Sequence, residues 1–583
     1  MIKTSSPKVN KNRLILLSVF IFLWFFIVIG RLFYVQVLNA EKFKKIKTRQ
    51  NERIIKISPE RGYIYDRYGR VLALTAKSYS IYLENRNKKE SIKEIKKING
   101  KIYFQPDTYK KILKRIKEGH RFIWVLRKID EEEKEKIFSL ELKNVHAIKD
   151  KKRHYPNMRI GCHVLGTVNV DNQGLEGVER TFDSYLKGRQ GEAIIKQDAR
   201  RKVYEARIIK KPEKGESIVL TIDLVLQYIA QREIKKAVKE NKAINGTIII
   251  MNPRTGEILA MASYPDYNPN NLKTLVRDRR KNLAIELNYE PGSIFKVITA
   301  SSVLEEAQID LLKPIYCEDG RFKYRGEVFT DHTKYTYLSP REVIAHSSNI
   351  GTIKMALLLR ARDIYRYEKS FGIGRKTGVE LPGESSGILI PPKKWSGVTQ
   401  ASMAIGYGLL TTPLQMLTAL NVIANDGYLV SPTIVKKGPE IKEKKVRKVI
   451  SLKTARIMKK FLRAVVEYGT GRNAGIDGFY VAGKTGTARK AINGHYSTEH
   501  YFSSFMGFVP VKKPLLSIIV VVNDPQNGKY YGGEVAAPVF KIVAEESLRH
   551  LGIFPSYLEK KKIIFAKVER VGEKKDNETI KVN

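Results

Sequence analysis

A run of apolar residues near the start, Leu14 to Gly30 (LILLSVFIFLWFFIVIG), constrains this chain before any other feature does. In hydrocarbon, backbone N–H and C=O groups must pair within the segment, so a run of this kind is expected as a helix. With Leu32 to Leu38 behind Arg31, residues 14–38 are long enough to span a bilayer. A cleaved leader is disfavoured, because the small-residue exit is Leu38-Asn39-Ala40 and Leu is poor three places before a cut. The run reads as an uncleaved anchor, with 1–13 as a cytoplasmic segment. Charge does not fix its orientation: Lys3, Lys8, Lys11 and Arg13 are matched by Lys42, Lys44, Lys45, Lys47 and Arg49. A long domain after a first helix is usually translocated, so the rest of the chain is expected on one, outer side.

The formal net charge is +46, from 106 Lys+Arg against 60 Asp+Glu. The basic residues are spread along the chain and form no DNA- or RNA-reading signature, so no nucleic acid is expected as a partner. Cys162 and Cys317 make no disulfide framework, and their spacing leaves open whether they pair. Neither HExxH nor CxxC occurs, so neither a metal nor a cofactor is expected.

Residues 39–215 read as a mixed α/β region without chemistry of its own. PERGYIYDRYGRVLA (Pro59 to Ala73) reads as strand, turn at Tyr68-Gly69, strand. Residues 88–153 read as charged amphipathic helices, and the glycines between Arg153 and Glu179 as tight turns. A second unit, 216–552, opens with the strand at Ile218 and a helix from Leu224. Gly246 to Ser263 is a hairpin turning at Arg254-Thr255-Gly256. Helices are expected from Ser293 to about Lys369 and over Thr412 to Ala424, and strands return in FYVAGKTGTA, FSSFMGFVP and LSIIVVVND. Strands, then helices, then strands imply an α+β fold: an antiparallel sheet with helices on its faces and a helical lobe. Residues 553–583 form a polar tail.

Three motifs in fixed order carry the chemistry: Ser293-Ile-Phe-Lys296, Ser347-Ser348-Asn349 and Lys484-Thr485-Gly486-Thr487. Ser293 and Lys296 are spaced i, i+3 on one helix face, and the apolar residues that follow bury Lys296. A free lysine costs about 4 to 5 kcal/mol to deprotonate at pH 7. Burial disfavours its charged form, so a neutral Lys296 can take the proton of Ser293. Ser347 reads as a proton shuttle to a leaving amine, and Asn349 as a partner of the substrate amide and of Lys296. Lys484 to Thr487 end the strand beginning at Phe479, expected at a sheet edge, where an extended peptide can pair and Lys484, Thr485 and Thr487 can meet a carboxylate. Gly486 would let the substrate backbone come close. The N–H groups of Ser293 and Thr487 are candidates for an oxyanion hole, worth about 3 to 4 kcal/mol per donor.

Each motif has decoys. SxxK recurs at Ser5–Lys8 and Ser184–Lys187, in polar segments, and K-T-G recurs at Lys376-Thr377-Gly378, which reads as a turn. Gly478 to Thr485 fits the phosphate-loop pattern, but its bulky Phe479-Tyr480-Val481 is strand-like and poor helix follows, so no nucleotide is expected.

These motifs resemble those of the penicilloyl-serine transferases, and specifically the class B penicillin-binding proteins. EPGSIFK, SSNIG, Gly406-Tyr407-Gly408, Thr412-Pro413-Leu414-Gln415 and KTGTA carry the catalytic half of the resemblance. Arg61-Gly62, Asp66-Arg67, Arg153-x-Tyr155-Pro156, His163, Leu165-Gly166 and Gly174 to Glu179 carry the non-catalytic half. Val168 to Asp171 and Asn523 to Gly533 look most like the division-septum branch. The resemblance implies a membrane-anchored D,D-transpeptidase with a pedestal over 39–215, using Ser293, Lys296, Ser347, Asn349 and Lys484 for catalysis and Thr485, Gly486 and Thr487 for binding. It implies stem peptides ending in D-Ala-D-Ala as substrates, β-lactams as inhibitors, and a membrane-embedded glycan polymerase among other division proteins as partners. An elongation-specific transpeptidase, a β-lactamase or carboxypeptidase, and a non-catalytic sensor or scaffold are the alternatives.

Overall fold

The computed structural model describes residues 11–42, 52–197, 203–271, 276–307, 309–438 and 446–555. Contacts divide the chain into two units, 1–60 with 188–215, and 61–187 with 216–583. Most of the expected polar tail and the basic residues Lys3, Lys8, Lys44, Lys45, Lys47 and Arg49 lie outside the described residues.

The first unit contains the helix Lys11–Phe33, carried on to Leu38 by one wider π-type stretch. None of its residues is buried, and among the described residues it is the one helix long and apolar enough to cross a bilayer. Its length and composition are compatible with a single-pass membrane anchor. The unit also holds a three-stranded antiparallel sheet in the order Glu52–Ile57, Gly191–Gln197, Val203–Lys210.

The second unit interleaves the sequence regions. Strands Ile64–Tyr65, Val71–Glu84 and Phe122–Ile129 share a sheet with Ile218–Leu220 and Val435–Lys437, while Val145–His154 pairs with Val71–Glu84. Residues 88–153 therefore hold two strands besides helices Lys88–Lys101, Pro106–Lys117 and Glu131–Phe138, a correction to the all-helical expectation. The lysines of Val145–His154, at exposed or half-buried positions, hid its alternation. Arg61, Arg153, Tyr155 and Glu179, far apart in sequence, converge in one buried cluster. Glu179 accepts from Arg61 Nε and Arg153 Nε at 2.6 Å each, and Arg61 also reaches Asp183 at 2.7 Å. Removing one member would strand a buried charge, typically at a cost of about 3 to 5 kcal/mol.

The sheet that carries Lys484 to Thr487 contains β1 (Asn245–Met251), β2 (Ile258–Tyr264), β3 (Ala482–Ile492), β4 (His495–Val509) and β5 (Leu516–Asn523). Its order is β2-β1-β5-β4-β3, antiparallel throughout, which leaves β3 at an edge. Strand side chains alternate between faces. Ile248, Ile250, Val520 and Val522 pack with helices α1 (Leu224–Glu240) and Ala537–His550, while Ile249, Met251, Ile519 and Val521 join the opposite core. That opposite core includes α2 (Lys296–Glu306) and α3 (Pro413–Ala424). Both faces are covered, which explains the unbroken apolar runs of β1 and β5. All of α3 is buried, and its start is closed by a capping box between Thr412 and Gln415, within the Thr412–Gln415 segment of the sequence.

The stretch after α2 is less helical than expected. Ile315–Tyr316 pairs with Tyr337–Leu338, and Arg321–Tyr324 forms a hairpin with Glu327–Thr330. Both cysteines are buried and unpaired.

Candidate active site

Ser293 lies in a 3-10 turn, Gly292–Phe295, and α2 begins at Lys296. Residues i and i+3 nearly eclipse in a 3-10 turn, so the SxxK spacing acts through a tighter turn than the α-helix expected from sequence. The turn is clamped from two sides. Gly292 N donates to Gly406 O at 3.1 Å, and a Cβ on Gly406 (φ +85°) would sit 2.1 Å from Gly292 O. Glu290 Oε1 accepts from Gly408 N at 2.7 Å and from Tyr496 OH at 2.9 Å. The segment Gly406-Tyr407-Gly408 thus holds the turn that carries Ser293.

Lys296 is fully buried, and its Nζ donates to Ser347 O at 2.6 Å and Asn349 Oδ1 at 2.7 Å, with Ser347 Oγ at 3.4 Å. Burial pulls its pKa down to about 7, opposed by the negative charge of Asp331. Lys484 is also fully buried; its Nζ donates to Ser347 Oγ at 2.8 Å. Burial, and then the charge of Lys296, hold Lys484 well below the ordinary lysine range. Two buried amines therefore share one hydroxyl, and each disfavours a proton on the other.

Ser347 joins helices Pro340–Ala345 and Asn349–Ala356 with a left-handed φ of +61°. Ser348 is the N-cap of the second helix, accepting from Gly351 N at 2.9 Å. The capping role thus falls to the middle residue of the motif, and Ser347 and Asn349 are left for the lysines.

Asp331 is the residue that sequence reading missed. Its Oδ1 accepts from Asn349 N and from Ile350 N (3.1 Å), and its Oδ2 from Ser348 Oγ at 2.5 Å. It follows strand Glu327–Thr330, and Asn349 Nδ2 donates to Thr330 O at 2.8 Å. No short motif marks it, because its partners lie 17 to 19 residues away. Asp331→Asn removes the charge that holds the S-S-N turn, so a loss of about 1.5 to 3 kcal/mol in urea-unfolding stability is expected, together with slower penicillin acylation. Unchanged values for both would refute this positioning role.

Lys484 to Thr487 open β3, whose hydrogen-bonded ladder begins at Ala482, and do not end a strand over 479–482 as expected. Phe479 makes an isolated bridge to Ile476 instead. Extended strand continues to Ile492, where a phosphate loop would need a helix. Thr485 Oγ1 shares a hydrogen bond with Thr470 Oγ1 at 2.7 Å, and Thr487 Oγ1 accepts from Gly532 N at 2.9 Å. Gly486 is required for an internal reason: a Cβ there would lie 2.4 Å from Ser504 Oγ and 3.0 Å from Ile294 Cγ2. The crowding comes from β4 and the Ser293 turn.

Lys296, Ser347, Asn349 and Lys484 therefore form one hydrogen-bonded cluster, with Ser293 one turn from Lys296 and the Ser293 turn packed on β3. Residues 246–545 match the penicillin binding protein transpeptidase domain, and residues 56–220 match the penicillin-binding protein dimerisation domain. This chain belongs to the class B penicillin-binding proteins. It is 34% identical over 577 residues to stage V sporulation protein D of Bacillus subtilis, covering 94% of this chain and 88% of that one. It is 31% identical over 572 residues to the peptidoglycan D,D-transpeptidase FtsI of Escherichia coli, covering 95% and 96%. Among solved structures, penicillin binding protein 3 of Mycobacterium tuberculosis complexed with aztreonam is similar at a TM-score of 0.65 and 26% identity, covering 86% of this chain and 98% of that one. As a penicillin-binding protein, the chain holds its three motifs on the 3-10 turn packed against β3, a helix junction and the edge strand itself.

Proposed function

We propose that the chain is a peptidoglycan D,D-transpeptidase that works through an acyl-serine on Ser293. The observation that supports this most is the pair of buried lysines bridged by Ser347 Oγ. A neutral Lys296 keeps two N–H donors, matched to its two close acceptors, Ser347 O and Asn349 Oδ1. Its lone pair is then uncommitted and takes the proton of Ser293 as Oγ attacks the penultimate D-Ala carbonyl. The N–H groups of Ser293 and Thr487 receive the developing oxyanion. The C–N bond breaks, and a proton passes through Ser347 Oγ to the leaving D-Ala amine. Lys484, Thr485 and Thr487 hold the D-Ala carboxylate, which favours the charged form of Lys484, and Gly486 lets the substrate backbone come close. Asn349 fixes the substrate amide. An amine from a neighbouring stem then takes the acyl group and releases Ser293.

The same proposal assigns 1–13 to the cytoplasm, 14–38 to a single-pass anchor in the cytoplasmic membrane, 39–215 to a pedestal, 216–552 to the catalytic part on the outer side and 553–583 to a tail. β-Lactams acylate Ser293 as substrate mimics. The resemblance of Asn523 to Gly533 and the relative named FtsI favour action at the division septum, with a membrane-embedded glycan polymerase as partner.

Purified full-length protein given a stem peptide ending in D-Ala-D-Ala and an acceptor stem should yield a cross-linked dimer by mass spectrometry. Release of D-Ala with hydrolysed donor alone would make it a carboxypeptidase, and rapid loss of a penicillin label would make it a β-lactamase. Depletion in the cell should give filaments; rounded cells would assign it to elongation.

A further inference from the structure

The second Lys-Thr-Gly, Lys376-Thr377-Gly378, is not used by the chemistry above. It lines a cavity of about 370 Å³ to which none of the three catalytic motifs contributes. Phe371, Leu429 and Pro432 supply apolar lining, and Arg375, Lys376 and Arg447 supply three cations. The loop is rigidly built. Glu384 accepts from Thr377 N, Thr377 Oγ1 and Gly378 N, and Gln415 Nε2 bridges Arg375 O and Ser386 O at 2.8 Å each.

Among the described residues no carboxylate lies within ion-pair distance of these cations. Glu380 also lines the cavity, but its oxygens accept from Thr433 Oγ1 and Ile434 N at 3.0 Å. Arg375 donates to Lys369 O at 2.6 Å, and among the described residues none of the three cations forms an ion pair. Burial, and to a smaller extent the guanidinium of Arg375, pull Arg447 below the usual guanidinium range, so two like charges face the same cavity. A dianion placed between them relieves their repulsion, and the planar guanidinium fork matches phosphate oxygens two at a time.

We propose that this cavity binds a phosphate-bearing ligand with a small apolar body, its phosphate gripped by Arg375, Lys376 and Arg447 and its body set against Phe371, Leu429 and Pro432. The phosphate can belong to a soluble metabolite or to a lipid headgroup, so two probes are used on full-length protein in neutral detergent: inorganic pyrophosphate, and dihexanoyl phosphatidic acid below its micellar concentration. Calorimetric titration should show saturable binding of at least one probe. Arg375→Gln/Arg447→Gln should weaken it at least about tenfold, equivalent to about 1.4 kcal/mol. Lys376→Gln, at an exposed loop position, should weaken it in the same direction. Lys393→Gln/Lys394→Gln, which removes the same charge from exposed sites elsewhere, should leave it unchanged. Tighter binding of the phosphatidic acid assigns a lipid source, and equal or tighter binding of pyrophosphate assigns a soluble one. Near-ultraviolet circular dichroism and a retained penicillin label show that each variant is folded. Saturable binding of neither probe overturns the proposal. So does undiminished binding by both folded cavity variants, or an equal loss in the Lys393/Lys394 control.

Discussion

Ser293→Ala protein incubated with a fluorescent penicillin carries no covalent label after denaturing electrophoresis, while the wild type carries a stable one. The adduct needs a bond from Ser293 Oγ to the opened lactam carbonyl, and alanine has no atom to make it. Loss of the nucleophile in a serine acyl-transfer site costs on the order of 10⁶ in rate, far below what the label can detect. The substitution removes one half-buried hydroxyl from a turn otherwise held by Gly406 and Glu290, so the protein should fold and melt as the wild type does. The alternative nucleophile in reach of the cluster is Ser347, whose Oγ already serves both lysines. The SxxK serine at 184 lies exposed in the short helix Asp183–Leu186. A Ser293→Ala protein that still labels would move the chemistry to another residue and end the present assignment.

The second large effect concerns Lys296. In the proposed mechanism the base form is the active one, and the pKa of Lys296 is drawn down to about 7 by burial. The second-order rate of penicillin acylation should therefore rise with pH through about 7 and level off, falling about tenfold from pH 8 to pH 6. Lys296→Arg keeps a cation that does not deprotonate, and should slow acylation by about 10² to 10⁴ at every pH in this range. A wild-type rate flat across the range, or a Lys296→Arg protein that acylates normally, would exclude Lys296 as the base. The same shift bears on stability. An unfolded lysine keeps its proton to about pH 10.4, so between about 7 and 10.4 the unfolded chain binds more protons than the native one. The contribution of this group to folding therefore improves as pH rises through that window, and is least favourable below about 7.

Much of this molecule was legible in its sequence because the signals are local. The apolar run from Leu14 to Gly30 is expected as a helix, and it lies within the helix Lys11–Phe33. The runs of β1 and β5 are apolar on both faces because helices cover both, and Thr412-Pro413-Leu414-Gln415 writes a helix start in four residues. Charged strands were not legible. Val145–His154 carries Lys149, Lys151 and Lys152 at exposed or half-buried positions, which mimics amphipathic helix, and the more apolar Phe122–Ile129 lies inside the same charged stretch. The placement of Arg61–Lys187 in one unit with 216–583 could not be read from composition either, since strands 64–65 and 218–220 pair across some 150 residues.

The sequence by itself determined which groups this protein has available for chemistry: a serine and a lysine one turn apart, a second serine with an asparagine, and a lysine on an apolar strand. Only the tertiary structure decided how those groups meet. It buried both amines on one hydroxyl, which shifts them towards the neutral form, and it brought Asp331 to the S-S-N turn. It also put Gly486 against Ser504 and Ile294. The reason is physical: side-chain type and short spacing are properties of the chain, whereas desolvation and mutual repulsion depend on what the fold packs around each charge.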